Sequence, residues 1–307
     1  MMFNWLLLAI IGHLCNATAF IVDKSLLTST FKRSSTYAAL MGFVSIATCA
    51  LAPWVKQWPP LSLYPIIICF GAFFVFALWA FFEALRRSEA SRVVPVVGSL
   101  IPVFTLIGGV IFLHEFLGAY ELLGFVFLLF ATFLLTRGGE KKKKKNQPFF
   151  WIAVLASIFF AAASLCGKYA FDHSEFLGVL VLSRLFAACI GILIGLFASR
   201  ATRMELFSLI QSPKKTNLPW YATVLAITGQ VLGGIGFIMV HLAMVQGSAA
   251  VVNAMQAVQY AAIVLVAWFG GKRLRKLLQE SRTARVIFIK TSAIILVGIG
   301  LALVSGI

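Results

Sequence analysis

The chain has 307 residues, of which 61% are hydrophobic and only 12% are charged. Soluble domains carry about a quarter charged residues and about half apolar ones, so this composition excludes an ordinary soluble protein. The formal charge of +16 would suit a nucleic-acid binder. The basic residues lie between apolar runs without interleaved aromatic motifs, so we expect no nucleic-acid partner and anionic lipid headgroups instead.

Apolar runs recur along the whole chain and are long enough to cross a hydrocarbon core of about 30 Å. Lipid offers no partner for a free backbone amide, so each run is predicted to be a helix. The predicted spans lie at about residues 3–22, 36–55, 61–82, 93–113, 117–136, 149–170, 176–199, 219–245, 248–270 and 284–305. The predicted fold class is an all-α polytopic membrane protein with ten transmembrane helices.

Lysine and arginine lie almost entirely in the connections that follow odd-numbered spans. Positive residues stay on the cytoplasmic side, so these connections are predicted to face the cytoplasm and both termini to face out. The densest basic run follows the fifth span and consists of Lys141, Lys142, Lys143, Lys144 and Lys145. We interpret it as a topology anchor, with binding of acidic lipids as the alternative role. It lies in a basic cytoplasmic linker at 138–148, which joins a first half at 1–137 to a second half at 149–307.

Five spans in each half place the two halves in opposite orientations, a pattern found in many secondary transporters. The segment "ASRVVPVVGSLIP" at 90–102 aligns with "SAAVVNAMQAVQY" at 248–260. The segment "VDKSLL" at 22–27 aligns with "CGKYAF" at 166–171. Because both matches fall in corresponding places, the sequence predicts two inverted five-helix repeats.

Polar side chains inside spans are costly and are therefore functional candidates. In the ninth span Asn253, Gln256 and Tyr260 share one helical face. The equivalent face of the fourth span carries Pro95, Ser99 and Pro102. We expect these faces to be opposing walls of one central transport cavity, to which we also assign His13, Asn16, Trp79, Arg184 and Gln230. Hydrogen bonding between helices is the alternative role for each polar residue.

Charged and titratable residues outside the basic connections suggest further roles. Lys24 and Lys168 occupy equivalent positions in the two halves and are predicted to contact substrate or lipid charge. Snorkelling towards headgroups is the alternative for both. Histidine titrates near neutrality, so His13 is a candidate to carry a coupling proton. Glu115 lies at a span end, where we expect solvation or a structural salt bridge.

The segment from Ala84 to Thr136 resembles the drug/metabolite transporter superfamily, specifically its ten-helix branch with two EamA-type halves. A short turn, a proline-bearing span, a glutamate and a glycine-bearing span follow one another, with Pro102, Glu115 and Gly124 at the matching landmarks. The resemblance implies two inverted EamA-like halves. The second half departs from the pattern, because Arg273 stands where the first half has Glu115.

The expected function is secondary transport of small metabolites such as amino acids, in the export direction, by alternating access across a bacterial cytoplasmic membrane. The protein is expected to be a monomer or homodimer and not an enzyme. No nucleotide-binding loop is present, and all five cysteines lie in apolar runs, so no cofactor or metal is predicted. The alternatives are a multidrug exporter, an anionic-lipid-carrier flippase and a membrane-embedded transferase. A cation exporter would need an acidic residue near a span centre, and a transferase has only "DHSE" at 172–175 to draw on.

Overall fold

The computed structural model describes residues 2–29, 33–88, 90–136, 149–211, 220–271, 277–278 and 283–306. Within these ranges the chain is helical and contains no β-strand. The α-helices are α1 (Met2–Ser29), α2 (Ser34–Val44), α3 (Tyr64–Arg87), α4 (Ala90–Gly108), α5 (Ala119–Thr136), α6 (Phe149–Asp172), α7 (Phe176–Phe197), α8 (Arg200–Gln211), α9 (Trp220–Gln246), α10 (Ala249–Ala254), α11 (Gln256–Phe269) and α12 (Ala284–Ser305). The predicted linker at 138–148 lies outside the described residues, as do Lys141 to Lys145.

The ten predicted spans correspond to ten apolar helical segments, which confirms the polytopic helical fold class. In the described part of the chain nine of these segments are long and apolar enough to cross a membrane, and the tenth is the shorter apolar helix Ala119–Leu135. Large apolar side chains such as Phe197, Phe269 and Phe288 are exposed on the outside. An apolar exterior is expected of a protein whose solvent is lipid.

Three spans depart from a simple α-helix. The second continues from α2 as a 3₁₀ helix at Ser45–Trp54. The fourth ends in a π-helical turn at Gly109–Leu113, after which His114 takes a left-handed conformation with φ of 54°. The ninth is interrupted at Met255, between α10 and α11. Such irregularities inside membrane helices often mark functional sites.

Helices from before the linker pair with helices from after it. The most extensive pairings are α3 with α6, α1 with α9, α5 with α12, α4 with α6 and α2 with α7. Small residues permit close approach at these crossings. A Cβ on Gly42 would lie 2.9 Å from Cα of Gly191, and one on Gly124 would lie 2.8 Å from the carbonyl oxygen of Gly300. Gly191 therefore has a packing role where α2 crosses α7.

Polar contacts join connections of the same parity on each side of the bundle. Among the even-numbered connections, the backbone amide of Gln57 donates to Glu175 at 2.5 Å. On the opposite side, Thr36 donates to Glu205 of α8 at 2.8 Å. The helix α8 was not predicted from the sequence, because it is short and is not an apolar span. These contacts agree with the predicted alternation of odd and even connections.

Candidate functional site

A cavity of about 220 Å³ lies in the middle of the bundle, between α1, α3, α4, α6, α9 and the interrupted ninth span. One part of its wall is aromatic, with Phe20, Phe70, Phe74, Phe81, Phe160 and Phe237. The other part is polar, with His13, Asn16, Ser164, His241, Asn253, Gln256, Gln259 and Tyr260. No acidic side chain is among the lining residues described, so the cavity provides amide, hydroxyl and imidazole groups rather than carboxylates.

His13 is fixed at the cavity by the ninth span. Its Nε2 lies 2.9 Å from the carbonyl oxygen of Val252. A carbonyl only accepts, so Nε2 must carry the proton in this bond. In the described part of the chain Nδ1 has no hydrogen-bond partner, and the side chain of Gln259 lies close to the ring. The ring therefore keeps one polar atom available beside the cavity.

Asn253 at the end of α10 and Gln256 at the start of α11 both line the cavity, on either side of Met255. Asn253 donates from Nδ2 to Oγ1 of Thr105 at 3.0 Å, and Thr105 donates in turn to the carbonyl of Ile101 at 2.8 Å. The ninth span is thereby tied to α4 through a buried polar chain. Gln256 is half-buried at the start of α11, directly after the break.

Tyr260 reaches the cavity because Gly98 leaves room for it. A Cβ on Gly98 would lie 2.6 Å from Cε2 of the Tyr260 ring, which no real side chain tolerates. The ring thus packs directly onto the backbone of α4. This contact joins the two spans that the sequence repeat had placed opposite each other.

Arg184 lies behind the aromatic wall. Its side chain belongs to α7 and is buried, with only 4% of the residue exposed. The guanidinium carbon lies 4.1 Å from the ring centroid of Phe237, 4.2 Å from that of Phe74 and 5.2 Å from that of Phe70. Among the described residues its Nε and Nη2 have no hydrogen-bond partner. We refer to Phe70, Phe74 and Phe237 as the aromatic cage.

A polar network lies on the side of the bundle that the even-numbered connections face. Lys168 Nζ lies 2.9 Å from Oδ1 of Asp172 and 3.7 Å from Oε1 of Glu115. Ser248, the N-cap of α10, donates to Oε2 of Glu115 at 3.3 Å. The π-turn after α4 presents Glu115, whose backbone amide bonds to the carbonyl of Gly109 at 3.0 Å. We call Glu115, Lys168, Asp172 and Ser248 the outer network.

A second cavity of about 530 Å³ opens near the other end of α3 and α6. Its polar lining includes Arg33, Ser34, Glu83, Arg86 and Arg87. Glu83 holds this group together, since it pairs with Arg86 at 3.1 Å and Arg87 at 2.6 Å and accepts from Ser34 at 2.5 Å. Glu83 is thus the acidic partner of two of the three arginines in this lining.

Some of the residues predicted for the transport cavity line it, and others lie elsewhere. His13, Asn16, Asn253, Gln256 and Tyr260 line the central cavity. Arg184 lies behind its wall, and Trp79 lines the second cavity. Pro102 is buried in α4, the Ser99 hydroxyl bonds to the carbonyl of Val96 at 3.3 Å, and Gln230 is half-buried in α9. The side chains of Pro95 and Lys24 lie outside the described residues.

Glu115 has a role that was predicted for it, whereas Lys168 has partners that were not predicted. Lys168 was expected at substrate, at lipid charge or at headgroups, but it is only 8% exposed and is paired with two carboxylates. Glu115 forms the structural salt bridge that was predicted for it. Lys168 is therefore paired by carboxylates of the protein itself.

The sequence analysis missed several residues of the site. Gln259 lies three residues after Gln256 and one before Tyr260, so helical spacing was a signal that could have found it. Phe70 and Phe237 had no such signal, because the chain has 29 phenylalanines. Away from the lining of either cavity, Lys290 of α12 is a buried cation, 2% exposed, and its position within an apolar run could have marked it.

Comparison with known proteins gives a family and a fold. No curated protein matches the chain. Of 29 chains of solved structures that match, one described as "Crystal structure of protein" has a TM-score of 0.69 at 14% identity and covers 97% of this chain and 95% of its own. At that identity the likeness concerns the fold alone. Residues 3–137 match the model of the EamA-like transporter family. The matched range includes the segment from Ala84 to Thr136, in which the sequence resembles EamA-type transporters. The chain is therefore similar to the EamA-like transporter family, described as transporters, over residues 3–137.

Proposed function

We propose that the protein is a secondary transporter of small metabolites, in the export direction, that works by alternating access. The observation that carries the proposal is the central cavity between helices from both sides of the linker. Secondary carriers with inverted repeats bind their substrates in such a position, near the middle of the membrane. The interrupted ninth span supports the same reading, because broken helices often form these sites.

The pairing of helices supports two equivalent halves, at 1–137 and 149–307. If the ten spans are numbered in order, the close pairs are first with eighth, third with sixth, second with seventh, fifth with tenth and fourth with sixth. Exchanging the halves converts the first of these pairs into the second and maps the next two onto themselves. It converts the last pair into first with ninth, and these two spans are also in contact. Five spans per half then make the repeats inverted, so that rocking one set of helices against the other would expose the cavity to alternate sides.

The cavity favours small solutes over drugs. Drug-sized ligands occupy pockets of about 300–1,000 Å³, and this cavity measures about 220 Å³. The lining residues described include no carboxylate for a lipophilic cation. An amino acid or a compound of similar size fits these limits.

Uptake into proteoliposomes tests the proposal. Purified protein would be reconstituted and supplied with a panel of radiolabelled amino acids and small organic acids, with and without a proton gradient. We expect saturable uptake of at least one compound above that of protein-free liposomes. Conversion of a compound without any gradient or compartment would instead favour an enzyme. An absence of saturable uptake across the panel would contradict the proposal.

The outer network is proposed as the gate on the even-numbered side. Replacing Glu115 by Gln removes the charge that joins Lys168 to the α4–α5 connection, so we expect more frequent opening on that side. With the native cysteines replaced, Ser164→Cys in the cavity would report opening through its labelling by an impermeant thiol reagent. Glu121→Gln, in the first turn of α5, is the matched control. Equal labelling rates in both variants would contradict a gate at Glu115.

A further inference from the structure

Arg184 is a buried cation for which the described residues provide no anion. Its exposed fraction is 4%, and in the described part of the chain it takes part in no salt bridge. Two of its donor atoms, Nε and Nη2, have no hydrogen-bond partner there. Burial of a charge is costly unless it is paired and hydrogen-bonded. Something must offset that cost at least during part of the transport cycle.

The aromatic cage offsets only part of it. Three phenylalanine faces lie 4.1 to 5.2 Å from the guanidinium carbon, close enough for cation–π attraction. A ring face attracts the charge, but it is a poor partner for the N–H groups in the guanidinium plane. Those donors form a rigid fork that matches a carboxylate in shape and charge. The cage therefore holds the cation, while Nε and Nη2 have no hydrogen-bond partner among the described residues.

The cage is also held firmly in place. A Cβ on Gly71 would lie 2.5 Å from the carbonyl oxygen of Ser183, so α3 approaches α7 closely beside Arg184. Gly167 of α6 gives room to the Phe70 ring, where a Cβ would lie 3.0 Å from Cζ. On the other side His241 packs on Phe237, with 3.9 Å between ring centroids. This packing positions the cage between α3, α6, α7 and α9.

The same three phenylalanines line the central cavity. A single layer of aromatic side chains thus separates the guanidinium from the space where a solute would lie. Phe70, Phe74 and Phe237 come from α3 and α9, which belong to different predicted halves. Rocking of the halves would therefore change the cage directly.

We propose that Arg184 is the anion-binding subsite of the central cavity and takes the carboxylate of a small solute once the aromatic cage parts. This rests on the proposed transport function and specifies its substrate class. One guanidinium matches one carboxylate in charge, and the lining residues described for the cavity include no Lys or Arg that a doubly charged phosphate would favour. The amide and hydroxyl groups of Asn253, Gln256 and Tyr260 are then available to the neutral remainder of the solute.

Thermal unfolding of the purified, detergent-solubilised protein tests the subsite without any transport step. The probes are sodium acetate, sodium benzoate and sodium glutamate, with benzamide as the neutral analogue of benzoate and sodium chloride at equal ionic strength. The variant is Arg184→Met, which keeps an apolar side chain among the rings. Lys168→Met is the matched control, because it removes a buried cation that the protein itself pairs.

We expect at least one carboxylate to raise the Tm of the wild-type protein, while benzamide and chloride leave it unchanged. Arg184→Met should bind that carboxylate about 30-fold more weakly or worse, the loss typical of a removed charged partner. Its own Tm without ligand should equal or exceed that of the wild type, because a buried unpaired charge is lost. Lys168→Met should have a lower Tm and keep the carboxylate effect.

Three results would overturn the subsite: no carboxylate effect in the wild type, an equal effect of benzamide or chloride, or an equal effect in Arg184→Met. If Arg184→Met does not yield folded protein, Arg184→Lys replaces that variant in the same comparison. Lysine keeps the charge but lacks the planar fork of donors that matches a carboxylate. Since no gradient is used, a failure here leaves the transport proposal intact. Failure of proteoliposome uptake alone would leave the carboxylate subsite standing.

Discussion

The outer network and the aromatic cage each hold a buried cation, but they treat it in opposite ways. Lys168 has two carboxylates within 3.7 Å. Arg184 has three phenylalanine faces and, among the described residues, no carboxylate. Lys168 is paired by carboxylates of the protein where two connections meet, whereas Arg184 lies beside the central cavity. The contrast separates charges that hold the structure from one that is available to a ligand.

The polar chain at Asn253 adds a third case. Asn253 lines the cavity, but its amide nitrogen already donates to Thr105. It therefore contributes both to the structure and to the cavity surface. Four substitutions probe the contrast, from the largest expected effect to the smallest.

The largest effect is expected from Arg184→Met on transport. Loss of the charged partner should lower kcat/KM for a carboxylate substrate about 30-fold or more, equivalent to at least about 2 kcal/mol. Initial rates of uptake into proteoliposomes measure it, with protein orientation and amount matched. Lys56→Ala, in an exposed connection, is the control and should keep normal uptake. If Arg184→Met keeps normal uptake, Arg184 has a structural role like that of Lys168 and does not bind the substrate.

A loss of stability should follow from Lys168→Met. The variant leaves Glu115 and Asp172 without their shared cation, and we expect the free energy of unfolding to fall by about 2 kcal/mol, less than the full cost of breaking a deeply buried pair. Chemical unfolding in detergent, followed by tryptophan fluorescence, measures it. Lys168→Arg should recover most of the loss. If Arg184→Met is destabilised as much as Lys168→Met, the contrast between the two cations fails.

Packing at the cavity wall is probed by Gly98→Ala. The added methyl group would meet the Tyr260 ring, and overpacking of this kind costs about 1–3 kcal/mol. Gly298→Ala is the matched control, because a Cβ at Gly298 meets nothing within 4 Å. There the change should stabilise α12 by about 0.5–1 kcal/mol through the higher helix propensity of alanine. Equal unfolding midpoints for the two variants would show that Tyr260 moves freely.

Much of this fold follows from the sequence because lipid restricts the backbone so strongly. The ten spans were predicted from apolar length alone, and the face formed by Asn253, Gln256 and Tyr260 was predicted from helical spacing. The break at Met255 was not, since no proline or glycine stands at that position. The left-handed His114 was not predicted either, although it helps to present Glu115 to Lys168.

The cage and the position of Trp79 depend on tertiary packing that periodicity does not contain. Trp79 lies five residues after Phe74, about 140° around the helix, and so faces the second cavity. The sequence marked Arg184 as a cation inside a span but could not show which groups surround it. Its environment depends on close approaches at Gly71 and Gly167, which bring α3 against α6 and α7.

The smallest effect is expected from Thr105→Val. The variant keeps the shape of the side chain but removes the oxygen that accepts from Asn253, so a buried amide loses its partner. Such a loss costs about 1 kcal/mol, and at most about 3 kcal/mol if no water replaces the partner. Unfolding in detergent measures it, with Thr105→Ser as the control that keeps the hydroxyl. Because Asn253 faces the cavity, a solute or water can take over its donor. A full loss of 3 kcal/mol would therefore show that Asn253 belongs with the structural group at Lys168 and not with the ligand-facing group.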